Sequence, residues 1–200
     1  MTPAYLDEIL DVARRSLNHG IVRGCSNFVD NGLATHNRLP GRTIENSHDL
    51  FEESNFVRRT MHGKTHFDDF LTGDAFLVSR AVIDKIGTFD QLFYGYFADH
   101  DYGIRAQIAG FDLVLAQGAY AWHVQGANFD YLDETRRDQK LKQRWRRIYE
   151  NWARFKLKYE LPVELDFSSM AKIPWSLLRS GEFDHELMYC PPADYTRYLV

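Results

Sequence analysis

The stretch that decides the fold covers residues 72–129 and reads TGDAFLVSRAVIDKIGTFDQLFYGYFADHDYGIRAQIAGFDLVLAQGAYAWHVQGANF. Compact apolar runs in it predict buried strands, and helically spaced apolar residues that end at a glycine predict short helices. The predicted elements, in order, are a strand at 75–78, a helix at 80–86, a helix at 99–109 and strands at 112–116 and 119–124. A dense aromatic segment, residues 89–97, lies between the two helices.

The residues before this stretch predict two helices and a strand. Thr2 is a good N-cap and Pro3 suits the first helical position, so a helix is expected to begin there. Its helically spaced apolar residues are Leu6, Ile9, Leu10, Ala13 and Leu17. The elements predicted to follow are a strand at 21–28 that Gly24 breaks, a long loop at 30–47 and a helix at 49–62.

The longest predicted helix covers residues 132–159 and carries a continuous apolar stripe. The stripe residues are Leu141, Trp145, Ile148, Trp152, Phe155 and Tyr159. The same helix is rich in Lys and Arg between residues 136 and 158. The predicted organisation is therefore a globular part at 1–130, a basic amphipathic helix at 131–160 and an irregular tail at 161–200.

Composition and charge exclude several classes of protein. The chain has 200 residues, of which 44% are hydrophobic and 14% aromatic, so extensive disorder is excluded. Its formal net charge of −4 argues against a dedicated nucleic-acid binder, which would be basic. No apolar run is long enough for a membrane span, and the first ten residues do not resemble a signal peptide. Cys25 and Cys190 lie far apart, which favours reduced thiols in a cytosolic protein.

The order of motifs in residues 72–129 resembles the acceptor half of family-2 glycosyltransferases, which have the GT-A fold. The matching motifs are Gly73, Arg80, Ile86-Gly87-Thr88-Phe89-Asp90, Asp99-His100-Asp101, Arg105, Ala109-Gly110 and His123-Val124-Gln125-Gly126. Asn27 and the run at 151–155 also look like family features. The resemblance implies an α/β fold, namely a partial GT-A (nucleotide-diphospho-sugar transferase-like) domain. Residues 1–130 would form its acceptor side, and the long basic amphipathic helix would follow.

Two departures from the family pattern qualify this expectation. The family's Glu-Asp pair is Ala98-Asp99 in this chain, so the glutamate is missing. The family's nucleotide-binding half, with its metal-binding DxD motif, precedes the helix that Thr2 opens. We therefore expect either a fragment of a complete enzyme or a donor half supplied elsewhere, and weak binding of nucleotide sugars by this chain alone.

By resemblance, Asp99 is the catalytic base of an inverting glycosyl transfer. In such a transfer the base takes the proton from the acceptor hydroxyl. A carboxylate in the first turn of a helix is held ionised by the helix dipole. The alternative is that Asp99 caps the helix while Asp101 pairs with Arg105 at i, i+4. The surrounding motifs favour the base role for Asp99. Asp101 belongs to the acceptor side by resemblance, with structural support of the helix as its favoured role.

The same resemblance places the acceptor beside Gly73, Asp74, Tyr94, Tyr96 and Phe97. Aromatic faces stack on sugar rings, whereas the alternative for the aromatic run is core packing, and alternate residues can do each job. Gly95 is expected to allow a close approach of the backbone.

His123 follows a predicted strand and precedes Gly126. Imidazole can bind a divalent cation or contact the leaving diphosphate, so His123 is the predicted metal ligand. The alternative is a hydrogen-bonded histidine at the end of a strand. His100 and His66 are interpreted as ordinary surface or loop histidines.

We therefore expect inverting transfer of a sugar from a nucleotide-sugar donor to a glycan or other hydroxyl acceptor, as in cell-envelope polysaccharide synthesis. A divalent cation, Mn²⁺ or Mg²⁺, is implied by the family alone. The alternative is a non-catalytic glycan-binding or scaffold module that pairs with a donor-binding partner. Two interpretations of the basic helix at 136–158 remain open. The helix either contacts an anionic membrane or a phosphate-bearing acceptor, or its basic side is a solvated outer face. A membrane contact would make this a cytoplasmic protein that is peripheral to the membrane.

Overall fold

The computed structural model describes residues 1–28, 43–72, 75–124 and 133–165, and these form a mixed α/β domain. Its helices are α1 (Pro3–Ala13), α2 (Ser47–Met61), α3 (Arg80–Ile86), α4 (Ala98–Ile108) and α5 (Glu134–Lys158). Its strands are β1 (His19–Ser26), β2 (Thr65–Asp68), β3 (Phe76–Val78) and β4 (Asp112–Ala121). Most of the expected tail, from residue 166 on, and most of the expected 30–47 loop lie outside the described residues.

The four strands form one mixed sheet with the order β2-β4-β1-β3. The central strands β1 and β4 are parallel, while β2 and β3 pair with them in the antiparallel sense at the two edges. Parallel pairing of β1 with β4 brings the carboxyl ends of both strands to the same end of the sheet. In open α/β sheets, ligands bind at this end.

The prediction of two separate strands at 112–116 and 119–124 is wrong, because one strand, β4, covers most of this range. The strand runs without interruption, and its register with β1 shifts between Gly24, which pairs with Ala116, and Cys25, which pairs with Tyr120. The residues in between form a bulge on the β1 side. On the β2 side the amide of Gln117 still donates to the carbonyl of Lys64 at 3.0 Å, so pairing with β2 carries the strand through the bulge.

Gly24 does not break β1, contrary to the prediction. A Cβ atom at this position would lie 2.4 Å from the carbonyl oxygen of Ala119, so only glycine allows β4 to bulge this close to β1. Next to it, Cys25 is a buried free cysteine. Burial raises the pKa of its thiol to about 12, which keeps it protonated and unreactive at neutral pH. Cys190 lies outside the described residues.

Helices cover both faces of the sheet. Helix α1 packs Tyr5, Ile9 and Val12 on one face, against Val22 and Val114. Helices α3 and α4 cover the other face through a second core cluster. That cluster contains Ile21, Leu71, Val82, Ile86, Tyr102, Ala106 and Leu113.

Helix α1 begins as predicted, with the Thr2 side chain accepting a hydrogen bond from the amide of Tyr5. The predicted apolar face is wrong in part, because Leu6 is 46% exposed and Leu17 is 94% exposed. The face that packs on the sheet contains Tyr5 and Ile9 instead, which are spaced i, i+4. Each of them precedes by one position the leucines, Leu6 and Leu10, that the sequence placed on this face.

Helix α5 packs outside α4 and closes a third core cluster. Its members are Phe70, Phe93, Phe97, Ile104, Ile148, Trp152, Phe155 and Tyr159. Of the predicted stripe, Leu141 is only partly buried and Trp145 is 49% exposed, so the first half of α5 extends beyond the core. No helix within the described ranges is both long enough and apolar enough to cross a membrane.

Candidate active site at the start of helix α4

Asp99 lies in the first turn of α4. The helix begins at Ala98, and its N-cap is Phe97, whose side chain caps nothing and whose backbone is left-handed at φ 69°. Asp99 is therefore not the N-cap residue. Its side chain is 19% exposed, so the carboxylate is sheltered but reachable from solvent.

The charge of Asp99 is set by its neighbour His100. The Nδ1 atom of His100 lies 2.8 Å from Oδ1 of Asp99. Burial pushes the pKa of the Asp99 carboxyl up, but the His100 ring and the hydrogen bonds from His100 push it down further, and the net pKa is lowered. At neutral pH Asp99 is therefore an ionised carboxylate, the protonation state that a general base requires.

Asp101 is completely buried and holds α4 to its surroundings. Its Oδ2 accepts a hydrogen bond from Nε of Arg105 at 2.8 Å, which is the predicted i, i+4 pair. Its Oδ1 accepts from the hydroxyl of Tyr159 at 2.9 Å and faces Nζ of Lys158. Because the side chain is 0% exposed, an acceptor cannot reach it, and the favoured structural role fits this geometry.

Arg105 extends this network to the segment before α4. Its two terminal nitrogens donate to the carbonyls of Ile86 and Thr88, at 2.9 Å and 2.8 Å. The buried pair of Asp101 and Arg105 thus fixes the start of α4 relative to α3 and to the aromatic segment that follows α3.

Residues of the aromatic segment alternate between the core and the surface, as the sequence interpretation allowed when it assigned core packing and sugar stacking to alternate residues. Phe93 and Phe97 are 1% and 4% exposed, whereas Tyr94 is 74% exposed and Tyr96 is partly exposed. The Phe97 ring packs against Trp152 and Phe155, with centroids 5.6 Å and 5.3 Å away. The prediction that Phe97 stacks on an acceptor sugar is therefore wrong, because its ring lies in the core.

Helix α5 fixes the backbone and the rings of this segment. The side-chain amide of Asn151 donates to the carbonyls of Tyr94 and Tyr96, at 3.1 Å and 3.0 Å. The guanidinium of Arg147 lies 5.4 Å from the Tyr94 ring centroid, a cation–π contact. These contacts hold exposed tyrosine rings in place beside cationic side chains. Gly95 has φ +86° and open space where a Cβ would lie, so it serves the turn rather than the expected close approach.

His123 lies just beyond the end of β4. Its main chain is bound twice by Asn27, whose Oδ1 accepts from the His123 amide at 2.6 Å and whose Nδ2 donates to the His123 carbonyl at 3.1 Å. The imidazole Nδ1 lies 3.4 Å from the carbonyl of Phe28, and the two rings meet edge to face at 5.6 Å. Asn27 therefore positions the backbone of His123, while the imidazole remains partly exposed.

The comparison with protein families decides the assignment of the fold. Residues 1–149 match the model of the family described as Glycosyltransferase like family 2. The chain belongs to this family. Neither the search of curated proteins nor the search of solved structures found a match. The four-stranded sheet and its helices are consistent with a partial GT-A-like domain of the glycosyltransferase family.

Family-2 glycosyltransferases generally use a divalent cation, so we tested whether the described residues could hold one. His123 belongs to no group of three potential ligands in those ranges. The group that does occur is Glu8, Asp11 and His62, whose ligand atoms lie within 4.8 Å of one another.

The guanidinium of Arg58 already occupies that group. It pairs with Glu8 at 3.5 Å and with Asp11 at 3.2 Å, and Glu8 also accepts from the amide of Gly63 at 2.8 Å. A cation would have to displace the guanidinium, so these residues do not fit a catalytic metal site.

The sequence interpretation missed His100, which it treated as an ordinary surface or loop histidine. In the structure it is 13% exposed, and it bonds to Asp99. Its position between Asp99 and Asp101 in the motif was the available signal. The predicted acceptor residues Gly73 and Asp74, and Gly126 after His123, lie outside the described residues. His66 is exposed on β2, a four-residue strand that the sequence did not predict.

Proposed function

We propose that this chain supplies the acceptor side and the catalytic base of an inverting glycosyl transfer from a nucleotide sugar to a hydroxyl of a glycan or similar acceptor. The single observation that supports it most is the family match, because it includes Asp99. Asp99 has the properties of a base: an ionised carboxylate, partial exposure and a rigid helical position.

In the proposed reaction, the Asp99 carboxylate takes the proton of the acceptor hydroxyl as the hydroxyl oxygen attacks the anomeric carbon of the sugar. The bond between that carbon and the diphosphate breaks, and the nucleoside diphosphate leaves with the electron pair. Attack from the face opposite the leaving group inverts the anomeric carbon. The buried pair of Asp101 and Arg105 keeps the helix that carries the base fixed during this step.

For the acceptor we propose contacts with Tyr94 and Tyr96. The Tyr94 ring is exposed and the Tyr96 ring partly exposed. The guanidinium groups of Arg147 and Arg144 on α5 lie against these rings, so the rings can stack on a sugar with little loss of side-chain entropy. Gly73 and Asp74 remain proposed acceptor residues on the strength of the motif alone. His123 remains the proposed contact for a cation or for the leaving diphosphate, since its imidazole is partly exposed beyond the end of β4.

The proposal is tested with Asp99→Asn, which keeps the shape of the side chain and removes its basicity. In an enzyme that combines this chain with a donor-binding half, turnover of a nucleotide sugar should fall by about 10² to 10⁴, the usual contribution of a general base, with the melting temperature little changed. Asp84→Asn is the control, because Asp84 is an exposed helical aspartate paired with Arg80. An Asp99→Asn variant as active as wild type would refute the base assignment.

The alternative function is a glycan-binding module without catalysis. Exposed Tyr94 and partly exposed Tyr96, which lie beside Arg147 and Arg144, favour it, since such a surface can bind a sugar without a donor. Tyr94→Ala should weaken glycan binding under either function. Release of nucleoside diphosphate that depends on Asp99 occurs only in the enzyme, so this measurement separates the two.

A further inference from the structure

His100 is held in one orientation beside the proposed base. Its Nδ1 lies 2.8 Å from Oδ1 of Asp99. Its ring meets the Phe70 ring edge-on at a centroid distance of 4.1 Å and an angle of 86°. The Phe97 ring lies 5.5 Å away on another side. With 13% of the side chain exposed, the imidazole cannot turn without displacing these aromatic rings.

The chemistry of the pair fixes the position of one proton. A carboxylate can only accept hydrogen bonds, so Nδ1 of His100 carries the hydrogen and donates it to Oδ1 of Asp99. Among the described residues no side chain bonds to the other oxygen, Oδ2. The carboxylate also accepts hydrogen bonds from the backbone amides of His100 and Asp99. Because each carboxylate oxygen has two lone pairs, Oδ2, to which no described side chain bonds, can still accept a proton from a substrate.

The other charged groups near the start of α4 are engaged elsewhere. Arg105 and Lys158 pair with Asp101, and Lys158 also pairs with Asp90 at 2.7 Å. Of the charged and titratable side chains that the described ranges place around this turn, His100 is the one hydrogen-bonded to Asp99.

We propose that His100 is a positioning residue for the base: its Nδ1–H holds Oδ1 of Asp99 and so directs Oδ2 to the acceptor hydroxyl. This inference rests on the function proposed above. The acceptor proton moves to Oδ2, the oxygen forms its bond to the anomeric carbon, and the bond to the diphosphate oxygen breaks with its electron pair. His100 neither gains nor loses a proton in this step.

The first test measures the pKa of the Asp99 carboxyl by carboxyl-carbon NMR titration of the chain, without any substrate. His100→Phe keeps an aromatic ring against Phe70 and Phe97 but removes the donor, so the pKa of Asp99 should rise. His100→Asn keeps an N–H donor at this position, so the rise should be smaller. His66→Phe, on the exposed strand β2, is the control and should leave the Asp99 pKa where it is in wild type.

The second test measures steady-state kinetics of an enzyme that combines this chain with a donor-binding half. His100→Phe should lower kcat by about 10-fold to 100-fold, the scale of a misaligned catalytic group, with little change in KM for the acceptor. His100→Asn should recover part of that loss.

An Asp99 pKa that is unchanged in both His100 variants would overturn the inference, and His100→Asn decides alone if His100→Phe does not fold. If native His100 is present and the chain shows no turnover even together with a donor-binding half, that result counts against the proposed function instead. The titration would then still show whether His100 controls Asp99.

Discussion

Asp101 is the most deeply buried charge in the candidate site, and its partners are all within hydrogen-bonding reach. Arg105, Lys158 and the Tyr159 hydroxyl surround its two oxygens. Burial raises the pKa of Tyr159 well above its usual range, and the charge of Asp101 raises it further. The hydroxyl therefore stays protonated at neutral pH and donates to Asp101 at 2.9 Å.

Asp101→Asn should destabilise the protein by about 3–5 kcal/mol, because it leaves Arg105 buried without its counter-charge. Urea unfolding followed by circular dichroism measures the change. Asp84→Asn is the matched control, since Asp84 accepts from Arg80 at the same spacing and distance of 2.8 Å but is 60% exposed. That control should cost less than about 0.5 kcal/mol. Equal losses in the two variants would show that burial of Asp101 contributes nothing.

His123 offers a second test at the level of one residue. Asn27 binds the main chain of His123 and leaves the imidazole out of that contact. His123→Ala should therefore weaken metal-dependent turnover while the melting temperature stays nearly constant. Asn27→Ala, which removes both hydrogen bonds, should lower the melting temperature by several degrees, about 1 kcal/mol per bond. A large drop in melting temperature for His123→Ala with metal dependence intact would assign the imidazole a structural role.

At the scale of elements, the sequence predicted what local patterns determine. The Thr2 cap, the Ser79-capped helix α3 and the pair of Asp101 and Arg105 all depend on residues within four positions of one another. Strand β2 was not predicted, because three of its four side chains are exposed and only pairing with β4 makes it a strand. The bulge in β4 likewise depends on a strand about 90 residues earlier in the chain.

In the candidate active site, too, features fixed by neighbouring residues could be predicted from the sequence, whereas features fixed by distant residues could not. The position of Asp99 in the first turn of α4 could be predicted from the motif. The left-handed backbone of Phe97 could not, because such a conformation is unfavourable for a bulky residue. It is held by burial of the ring against Trp152 and Phe155, which lie more than 50 positions later. The engagement of His100 depends in the same way on Phe70.

The two tryptophans of α5 make a matched pair for testing how the helix is covered. Trp152 is 3% exposed, stacks on Phe97 and donates from Nε1 to the carbonyl of Leu165 at 3.1 Å. Trp152→Ala should destabilise by roughly 3–5 kcal/mol. Trp145 belongs to the same predicted apolar stripe, but it is 49% exposed, so Trp145→Ala should cost less than about 1 kcal/mol. Urea unfolding of both variants measures the difference, and similar values would show that α5 packs in another register.

At the scale of the whole molecule, charge is strongly segregated. The chain has a net charge of −4, whereas α5 contains ten Lys and Arg residues against Glu134, Asp138 and Glu150. The rest of the chain is correspondingly acidic. We propose that this separation orients the protein on an anionic membrane, with the exposed first half of α5 toward the lipid. Exposed Trp145 and Tyr149 on the same helix are suited to the interfacial region.

Vesicle co-sedimentation at low and high salt tests this membrane contact. We expect binding to vesicles that contain phosphatidylglycerol at low ionic strength and its loss at high salt, because the attraction is electrostatic. Arg146→Glu reverses one exposed charge on α5 and should weaken binding by about 2 kcal/mol, close to 30-fold. Arg80→Glu is a closely matched control: Arg80 is 82% exposed and Arg146 81%, and each pairs at 2.8 Å with an acidic residue four positions later. If Arg146→Glu and Arg80→Glu weaken binding equally, the attraction depends on net charge and not on α5. If the protein does not bind the vesicles even at low salt, the basic side of α5 is a solvated surface.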